Sequence, residues 1–431
     1  MISVLCCSKS APPNSVELVR ASSSRSAVVF VPGVTGVELR DESSEKIYWG
    51  LGRNLVMPHD RGYRVARPIG SPRGSGALEP GRVILQLRVA GIFHKLVYRP
   101  LVDLFVSNGY KLGDLASPRA DDTFFLFAYD WRQDNVTSAR LLAEQLEGLR
   151  KARGQSRLAV TLLCQSNGSH ICRYYTKYGG LTLDEAERGE SVETGVDVIK
   201  LGLLGSSNGG SLRVLRELNR GRKYVRGVGR VFSQEVLFTF IALFQDLPTY
   251  TDDLFVDETG RELAVDLFDA ENWFKYGWSI YGEGPQNRLA ESHPENLFGT
   301  RQERYDYLDG VLTRARRFHR LLRSDPHDLG STRVFLVENG NNPTPARSVL
   351  LHSKNAWKTL FAGDRELKRL SIPQNRLSSP GDGHATVESQ RCLSPQELAR
   401  LVREPVDVEG RHFEMILAPE TQIEILRIVA D

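Results

Sequence analysis

A serine near the middle of the chain lies where a catalytic nucleophile could stand. Ser166 belongs to the segment CQSNG, residues 164–168, which follows the apolar run LAVTLLC and precedes a segment with helical character. A nucleophile on a tight strand-to-helix turn needs small residues two positions before and after it, because strand and helix approach closely there. Cys164 and Gly168 are both small. Ser166 is therefore our candidate nucleophile, and the alternative is a structural serine in a turn.

A serine hydroxyl attacks only when a base takes its proton, so a carboxylate and a histidine should follow later in the chain. His412 precedes the predicted C-terminal helix and is our preferred base, with His384 as its rival. Two carboxylates remain open as the acid. Glu338 ends the run RVFLVE, and Asp382 lies in the loop SSPGDGHATVES, where an Asp-Gly pair is also a common turn.

Two main-chain amides would have to bind the negative charge that develops on the substrate oxygen. One should come from Asn167, the residue after the nucleophile. The other should come from a loop after an early strand, and Val34 follows Pro32-Gly33 in the stretch VFVPGVTGVELR. We therefore predict an oxyanion hole formed by Val34 and Asn167.

Strand-like runs separated by helical segments would position these residues. The runs are SAVVFVPG (26–33), TFFLFAYDW (123–131), LAVTLLC (158–164), VDVIKLGLLG (196–205) and TRVFLVENG (332–340). Nearly continuous apolar runs are typical of strands buried on both faces. Between the second and third, leucines recur on one face of a predicted helix, as in a βαβ unit. The pattern predicts an α/β fold with a doubly wound, mostly parallel sheet.

Two regions interrupt this alternation within a domain that we place at residues 26–431, after an N-terminal extension at 1–25. We expect a lid-like insertion at about 40–81, rich in Gly, Pro and Arg, and a cap insertion at about 211–325. The stretch EVLFTFIALFQDLPTY in the second carries more aromatic surface than one short helix can bury. The later stretch FDAENWFKYGWSIYG, residues 268–282, has the same character. A contiguous exposed patch of this kind would mark a surface facing lipid or a partner, and the alternative, which is the more common case, is ordinary core.

Composition and charge exclude several classes of function. A net charge of +3 over 56 basic and 53 acidic residues gives no basic stripe for nucleic acid. The longest apolar run, Val236–Phe244, is too short to span a bilayer. Five cysteines without metal-like or framework spacing favour a reducing compartment. We expect a cytoplasmic protein without metal or cofactor, with unmodified thiols rather than a lipid on Cys6 or Cys7; the oligomeric state stays open.

Several separated motifs resemble the lecithin:cholesterol acyltransferase family, which includes lysosomal A-type phospholipases. They are VVFVPGVTGVELRD, FAYDWRQDNVTSARLLAEQLEGL, VTLLCQSNGSHICRYY, LGLLGSSNGGS and GDGHATVES. The tetrad YDWR, residues 129–132, is the most specific. The chain departs from the family pattern at Cys164 and Gln165, and at His384-Ala385, which intrude between Gly383 and Thr386.

This resemblance implies an α/β-hydrolase fold with a lipid-covering cap and a triad of Ser166, Asp382 and His412. It also implies that the amides of Val34 and Asn167 form the oxyanion hole and that the substrate is an ester-linked acyl chain. We expect contact with a membrane surface to accompany such a substrate. Secreted members carry disulfides and signal peptides, and we predict neither here. The leading hypothesis is a serine lipase or acyltransferase; the competing one is a non-catalytic lipid- or protein-binding descendant of the fold.

Overall fold

The computed structural model describes residues 26–51, 62–70, 78–89, 93–223, 231–291, 295–325, 328–353, 356–370 and 372–431. The N-terminal extension predicted over residues 1–25 lies outside the described residues, as do two parts of the predicted lid-like insertion, 52–61 and 71–77.

Strands run through most of the described chain. In chain order they are β1 (Ala27–Val31), β2 (Val37–Asp41), β3 (Ile47–Trp49), β4 (Leu78–Val83), β5 (Gln86–Val89), β6 (Phe93–Leu96), β7 (Leu112–Gly113), β8 (Phe124–Leu126), β9 (Leu158–Gln165), β10 (Val196–Leu204), β11 (Phe255–Val256), β12 (Glu262–Leu263), β13 (Arg333–Glu338), β14 (Asn342–Pro345), β15 (Ser348–Ser353), β16 (Ala356–Phe361), β17 (Ser378–Gly381) and β18 (Val406–Asp407).

The described helices connect and flank these strands. They are α1 (Arg99–Ser107), α2 (Asn135–Ala152), α3 (Gly168–Tyr178), α4 (Leu183–Glu187), α5 (Leu212–Arg220), α6 (Gln234–Phe238), α7 (Ile241–Phe244), α8 (Ala270–Lys275), α9 (Glu283–Glu291), α10 (Glu295–Phe298), α11 (Arg301–Arg323), α12 (Val387–Gln390), α13 (Pro395–Ala399) and α14 (Pro419–Ala430).

A seven-stranded sheet forms the centre of the molecule, in the order β18-β13-β10-β9-β1-β8-β7. Its neighbouring strands pair in parallel throughout. All five residues of β1 are fully buried, in keeping with its uniformly apolar sequence. The five predicted runs correspond in turn to β1, β8, β9, β10 and β13, although β8 covers only three residues of its run. The predicted α/β class with a parallel sheet flanked by helices is confirmed.

Helix α2 shows how local sequence builds the βαβ unit between β8 and β9. The Asp134 side chain accepts a hydrogen bond from the Thr137 amide (3.1 Å), which satisfies one of the free donors at the helix start. Leu142, Leu146 and Leu149 then fall on one buried face. The unit leads the chain back into β9, which ends at Gln165, one residue before Ser166.

The aromatic stretch of the cap insertion is core rather than exposed surface. Phe240 is 1% exposed and Phe244 is fully buried. Phe240 packs edge-on against Trp131, with ring centroids 5.4 Å apart, and Phe244 packs on Trp273 at 5.5 Å. Of the two alternatives for this stretch, the structure therefore shows core, because several short helices, not one, share the aromatic surface. In the later stretch, Phe274 is 50% exposed.

A second sheet includes strands from two distant parts of the chain. Its order is β12-β11-β15-β16, so two strands from the cap insertion join two that follow β13. None of the apolar runs identified in the sequence predicts this sheet. Strand pairing between segments this far apart is not visible in local periodicity.

Candidate active site

Ser166 sits on a strained turn between β9 and α3. Its φ is +54°, in the left-handed region that residues with a Cβ rarely adopt. Two glycines make the close packing possible. A Cβ on Gly168 would lie 2.3 Å from the Val31 carbonyl oxygen, and one on Gly33 would lie 2.9 Å from the Ser166 Cβ. The chain thus brings the start of α3 and the loop after β1 against the serine.

The three residues of the predicted triad lie in one chain of hydrogen bonds. His412 Nε2 is 2.8 Å from Ser166 Oγ, although the two residues are 246 positions apart. His412 Nδ1 is 2.6 Å from Asp382 Oδ2. Both distances are within the range that proton transfer between a nucleophile and its base requires. A base bonded to serine on one nitrogen and to a carboxylate on the other can take the serine proton.

Asp382 is fully buried and held in place by main-chain amides. Its Oδ1 accepts hydrogen bonds from the N–H groups of His384 (2.7 Å) and Ala385 (2.8 Å). Burial raises the pKa of Asp382, but the charge of His412 and the hydrogen bond from it outweigh burial and hold that pKa below its ordinary value. The carboxylate therefore stays ionised at neutral pH and can stabilise a positive charge on His412.

Glu338 and His384, the other candidates for the acid and the base, contact different groups. Glu338 ends β13 as predicted, but its carboxylate binds Arg391, with Oε2 2.9 Å from Arg391 Nε. His384 lies beside His412 rather than on Ser166, and its Nε2 is 3.4 Å from Asp246 Oδ2. The geometry favours Asp382 as the acid and His412 as the base.

The amides predicted for the oxyanion hole belong to the two segments that meet at Ser166. Asn167 begins the turn into α3, and Val34 follows Gly33, whose backbone lies against the serine. Among the described residues, neither the Val34 nor the Asn167 N–H donates a hydrogen bond to another protein group. Both amides are therefore available to a substrate oxygen.

A polar network supports this region, and no functional role for its side chains was predicted from the sequence. Tyr129 donates to the Pro32 carbonyl (2.8 Å), which braces the turn before Val34. The Asn167 side chain pairs with that of Asn135 through two hydrogen bonds, of 2.8 and 3.1 Å. Of these residues, Tyr129 belongs to the motif YDWR, which is the sequence signal that points to this region.

Gln165, the residue before the nucleophile, has a partner of its own. Its Oε1 accepts a hydrogen bond of 2.6 Å from the hydroxyl of Tyr98, and both residues are buried. Burial raises the pKa of Tyr98 above its ordinary value, so its hydroxyl keeps the proton that it donates. The buried Gln165 side chain thus has a polar partner in a buried tyrosine.

Cys164 and Cys172 form a disulfide between the end of β9 and α3. The expectation of reduced thiols without a disulfide is wrong for this pair. Their separation of eight residues matches no framework spacing, but the turn at Ser166 folds the chain back and brings their Cα atoms to 6.5 Å. Disulfides persist in oxidising compartments, so the cysteines no longer support a cytoplasmic location. Cys6 and Cys7 lie outside the described residues, and Cys392 is a free thiol.

Another histidine lies close to the nucleophile in α3. His170 is fully buried, and neither of its ring nitrogens has a hydrogen-bond partner among the described residues. Burial lowers the pKa of His170 to about 4. Its ring meets that of His319 edge-on, with centroids 5.6 Å apart. This pair is neutral at physiological pH and packs behind the elbow.

Within the described residues, no three or more His, Cys, Asp and Glu side chains are grouped so that they could hold a metal ion. None of the described helices combines the length and hydrophobicity that crossing a bilayer requires.

Comparison with known proteins bears on the fold. No family model and no curated protein matches the sequence. Among solved structures, the chain is similar to one in "The crystal structure of Tle4-Tli4 complex", with a TM-score of 0.58 and 14% sequence identity over 95% of this chain and 99% of that one. At this identity the likeness shows the fold alone. This likeness, the parallel sheet and the strand-to-helix elbow together give an α/β-hydrolase-like fold.

Proposed function

We propose that the protein is a serine lipase or acyltransferase that cleaves or transfers an ester-linked acyl chain, of a phospholipid or a related lipid, through an acyl-enzyme on Ser166. The observation that carries this proposal is the hydrogen-bonded series Ser166–His412–Asp382 on a strained elbow. A serine hydrogen-bonded to a base that is itself oriented by a carboxylate is the arrangement that nucleophilic catalysis needs, and backbone strain is common at such sites.

In the first half-reaction, Ser166 Oγ attacks the ester carbonyl carbon while its proton passes to His412 Nε2. The carbonyl oxygen becomes negatively charged and accepts hydrogen bonds from the amides of Val34 and Asn167. When the intermediate collapses, the bond from carbon to the alcohol oxygen breaks and His412 returns the proton to that oxygen. The alcohol leaves and the acyl group stays on Ser166.

In the second half-reaction, water or an alcohol attacks the acyl-enzyme, with His412 now taking the proton from the attacking hydroxyl. Asp382 holds the His412 Nδ1–H throughout and stabilises the imidazolium. Water gives a fatty acid, whereas an alcohol gives a new ester. Each outcome regenerates the Ser166 hydroxyl.

The lipid substrate is supported by the motifs that resemble the lecithin:cholesterol acyltransferase family, and membership of that family is part of the proposal. Contact with a membrane surface would accompany such a substrate. The competing hypothesis is a non-catalytic lipid- or protein-binding relative. The available amides and the hydrogen-bonded base favour catalysis, because a binding protein needs neither.

Incubation with a total lipid extract, analysed by mass spectrometry, tests the proposal. Wild-type protein should deplete one class of acyl ester and release either fatty acid or a new ester, and Ser166→Ala should leave the extract unchanged. Loss of the same lipid with both proteins would contradict the role of Ser166. An extract unchanged by either protein would favour the non-catalytic hypothesis.

A further inference from the structure

A second histidine covers one face of the candidate base. The His384 ring stacks on the His412 ring, with centroids 4.4 Å apart and an angle of 29° between the ring planes. The two rings come from different loops, since His384 follows β17 and His412 follows β18. Stacked flat rings are a favoured arrangement, and here the stack joins the acid loop to the base loop.

Hydrogen bonds alone leave one motion of the His412 ring unrestrained. Both ring nitrogens are bonded, Nδ1 to Asp382 and Nε2 to Ser166. These partners lie along the edge of the imidazole, so the ring can still tilt about the line through its two nitrogens. A flat ring packed against its face opposes that tilt. His384 lies where such a restraint is needed.

His384 is itself fixed from several sides. Its main-chain N–H donates to Asp382 Oδ1 (2.7 Å), and its main-chain oxygen accepts from Ser211 Oγ (2.5 Å). Its Nε2 faces Asp246 Oδ2 at 3.4 Å, and Asp246 Oδ1 accepts from Ser207 Oγ at 2.5 Å. The His384 side chain is only 10% exposed. The His384 ring is therefore a stationary surface and not a mobile surface group.

The charges around His384 suit a neutral ring. The titratable and charged groups that face it are Asp246, Asp382, Glu217, Arg213 and His412. Burial first, and then the charge of His412, lower the pKa of His384. A neutral His384 can donate its Nε2 proton to Asp246 without placing a second positive charge beside the imidazolium that forms on His412.

We propose that His384, oriented by Asp246, is a positioning residue that holds the His412 imidazole in the plane joining Ser166 to Asp382. This inference rests on the proposed function and assigns a role to His384, one of the two residues that lie between Gly383 and Thr386.

Turnover of a soluble short-chain p-nitrophenyl ester by ring-retaining and ring-lacking variants tests this role. His384→Phe keeps a flat ring, whereas His384→Leu and His384→Gln remove it. We expect kcat to fall roughly tenfold to 100-fold in the Leu and Gln variants, with KM nearly unchanged, because a slightly misplaced base slows the chemical step and not binding. The Phe variant should recover most of kcat.

A spectroscopic measurement separates positioning from general damage. The low-field proton resonance of the His412 Nδ1–H should persist in the wild type and in His384→Phe, and should broaden or shift in His384→Leu. His319→Leu, which alters another buried histidine, is the matched control and should change neither the resonance nor kcat.

Wild-type kcat in His384→Leu, or equal losses in the Phe and Leu variants at matched melting temperatures, would overturn the inference. If Ser166→Ala retains wild-type turnover, the proposed function itself fails. If Ser166→Ala is inactive while all His384 variants are fully active, only the role of His384 fails.

Discussion

Two histidines beside the same elbow have opposite environments. His412 reaches Ser166 from a loop and has a partner on each ring nitrogen, whereas His170, four residues beyond Ser166 in α3, has none among the described residues. A base must gain and lose a proton in each half-reaction. Asp382 gives the charged form of His412 a partner, while the surroundings of His170 oppose its charged form. The hydrogen-bond partners of the two histidines, rather than their distance in sequence from Ser166, therefore favour His412 as the candidate base.

Substitution of each histidine should give the largest difference in kcat between the two positions. His412→Ala should lower kcat on a short p-nitrophenyl ester by several orders of magnitude, leaving about 10³–10⁴ over water from the oxyanion hole and binding. His170→Leu keeps the volume and should leave kcat within about threefold of wild type. Steady-state kinetics on folded variants measure both values. A large kcat loss in His170→Leu alone would reverse the assignment.

The two candidate acids also differ in the side chain that each carboxylate contacts. Asp382 faces His412, and Glu338 faces Arg391. Asp382→Asn should reduce kcat by up to about 10⁴-fold, because an amide cannot hold the required imidazole tautomer or stabilise the imidazolium. Glu338→Gln is the control and should cost stability but little activity. Kinetics in which Glu338→Gln is the slower variant would move the acid to the end of β13.

How much of this region follows from sequence depends on how far apart the interacting residues are. Ser166, its preceding strand and its following helix are contiguous, so local pattern and small residues predicted the elbow. The central strands were equally visible as apolar runs. Asp382 and Glu338 could not be separated by their own surroundings; the resemblance to a known family favoured Asp382, and tertiary structure then placed it against His412.

Other features depend on contacts that no local pattern contains. Phe240 and Phe244 lie in an aromatic-rich stretch that could have formed an exposed apolar patch. In the folded chain Trp131 packs against Phe240 and Trp273 packs against Phe244. The disulfide of Cys164 and Cys172 requires the reversal at Ser166. The stacking of His384 on His412 joins two loops whose proximity is set by the sheet. These are long-range packing effects, which sequence periodicity does not encode.

The disulfide lies in the same elbow and helix as Ser166 and His170, and removing it tests how firmly that unit is held. Cys164→Ala with Cys172→Ala should lower the free energy of unfolding by about 2–3 kcal/mol, the effect expected for a short closed loop. Chemical denaturation with and without a thiol reductant measures it. Cys392→Ala should respond to reductant as the wild type does. Equal stability of the double variant and the oxidised wild type would contradict a bracing role.

His170 also makes a pH-dependent contribution to stability. Because its folded pKa of about 4 is below the unfolded value of 6.5, the unfolded chain binds a proton that the folded chain does not. The stability that neutral His170 contributes is thus fully present above pH 6.5 and is lost as pH falls towards 4. Between pH 7 and pH 5 the loss should be about 2 kcal/mol.

Urea unfolding of wild type and His170→Leu at both pH values measures this difference. The variant should lose less stability on acidification than the wild type by that amount. His319, whose pKa is also lowered by burial, should act in the same direction in both proteins. Identical pH dependence in the two proteins would mean that His170 is not held neutral.

Labelling with a fluorophosphonate, followed by peptide mass spectrometry, tests the central claim most directly. The reagent reacts far faster with a serine whose proton can be taken by a neighbouring base than with an ordinary serine. We expect a single adduct on the peptide that contains Ser166, no adduct in Ser166→Ala, and much slower labelling in His412→Ala. An unlabelled wild-type protein, or an adduct on a different serine, would contradict the assignment of Ser166 as the nucleophile.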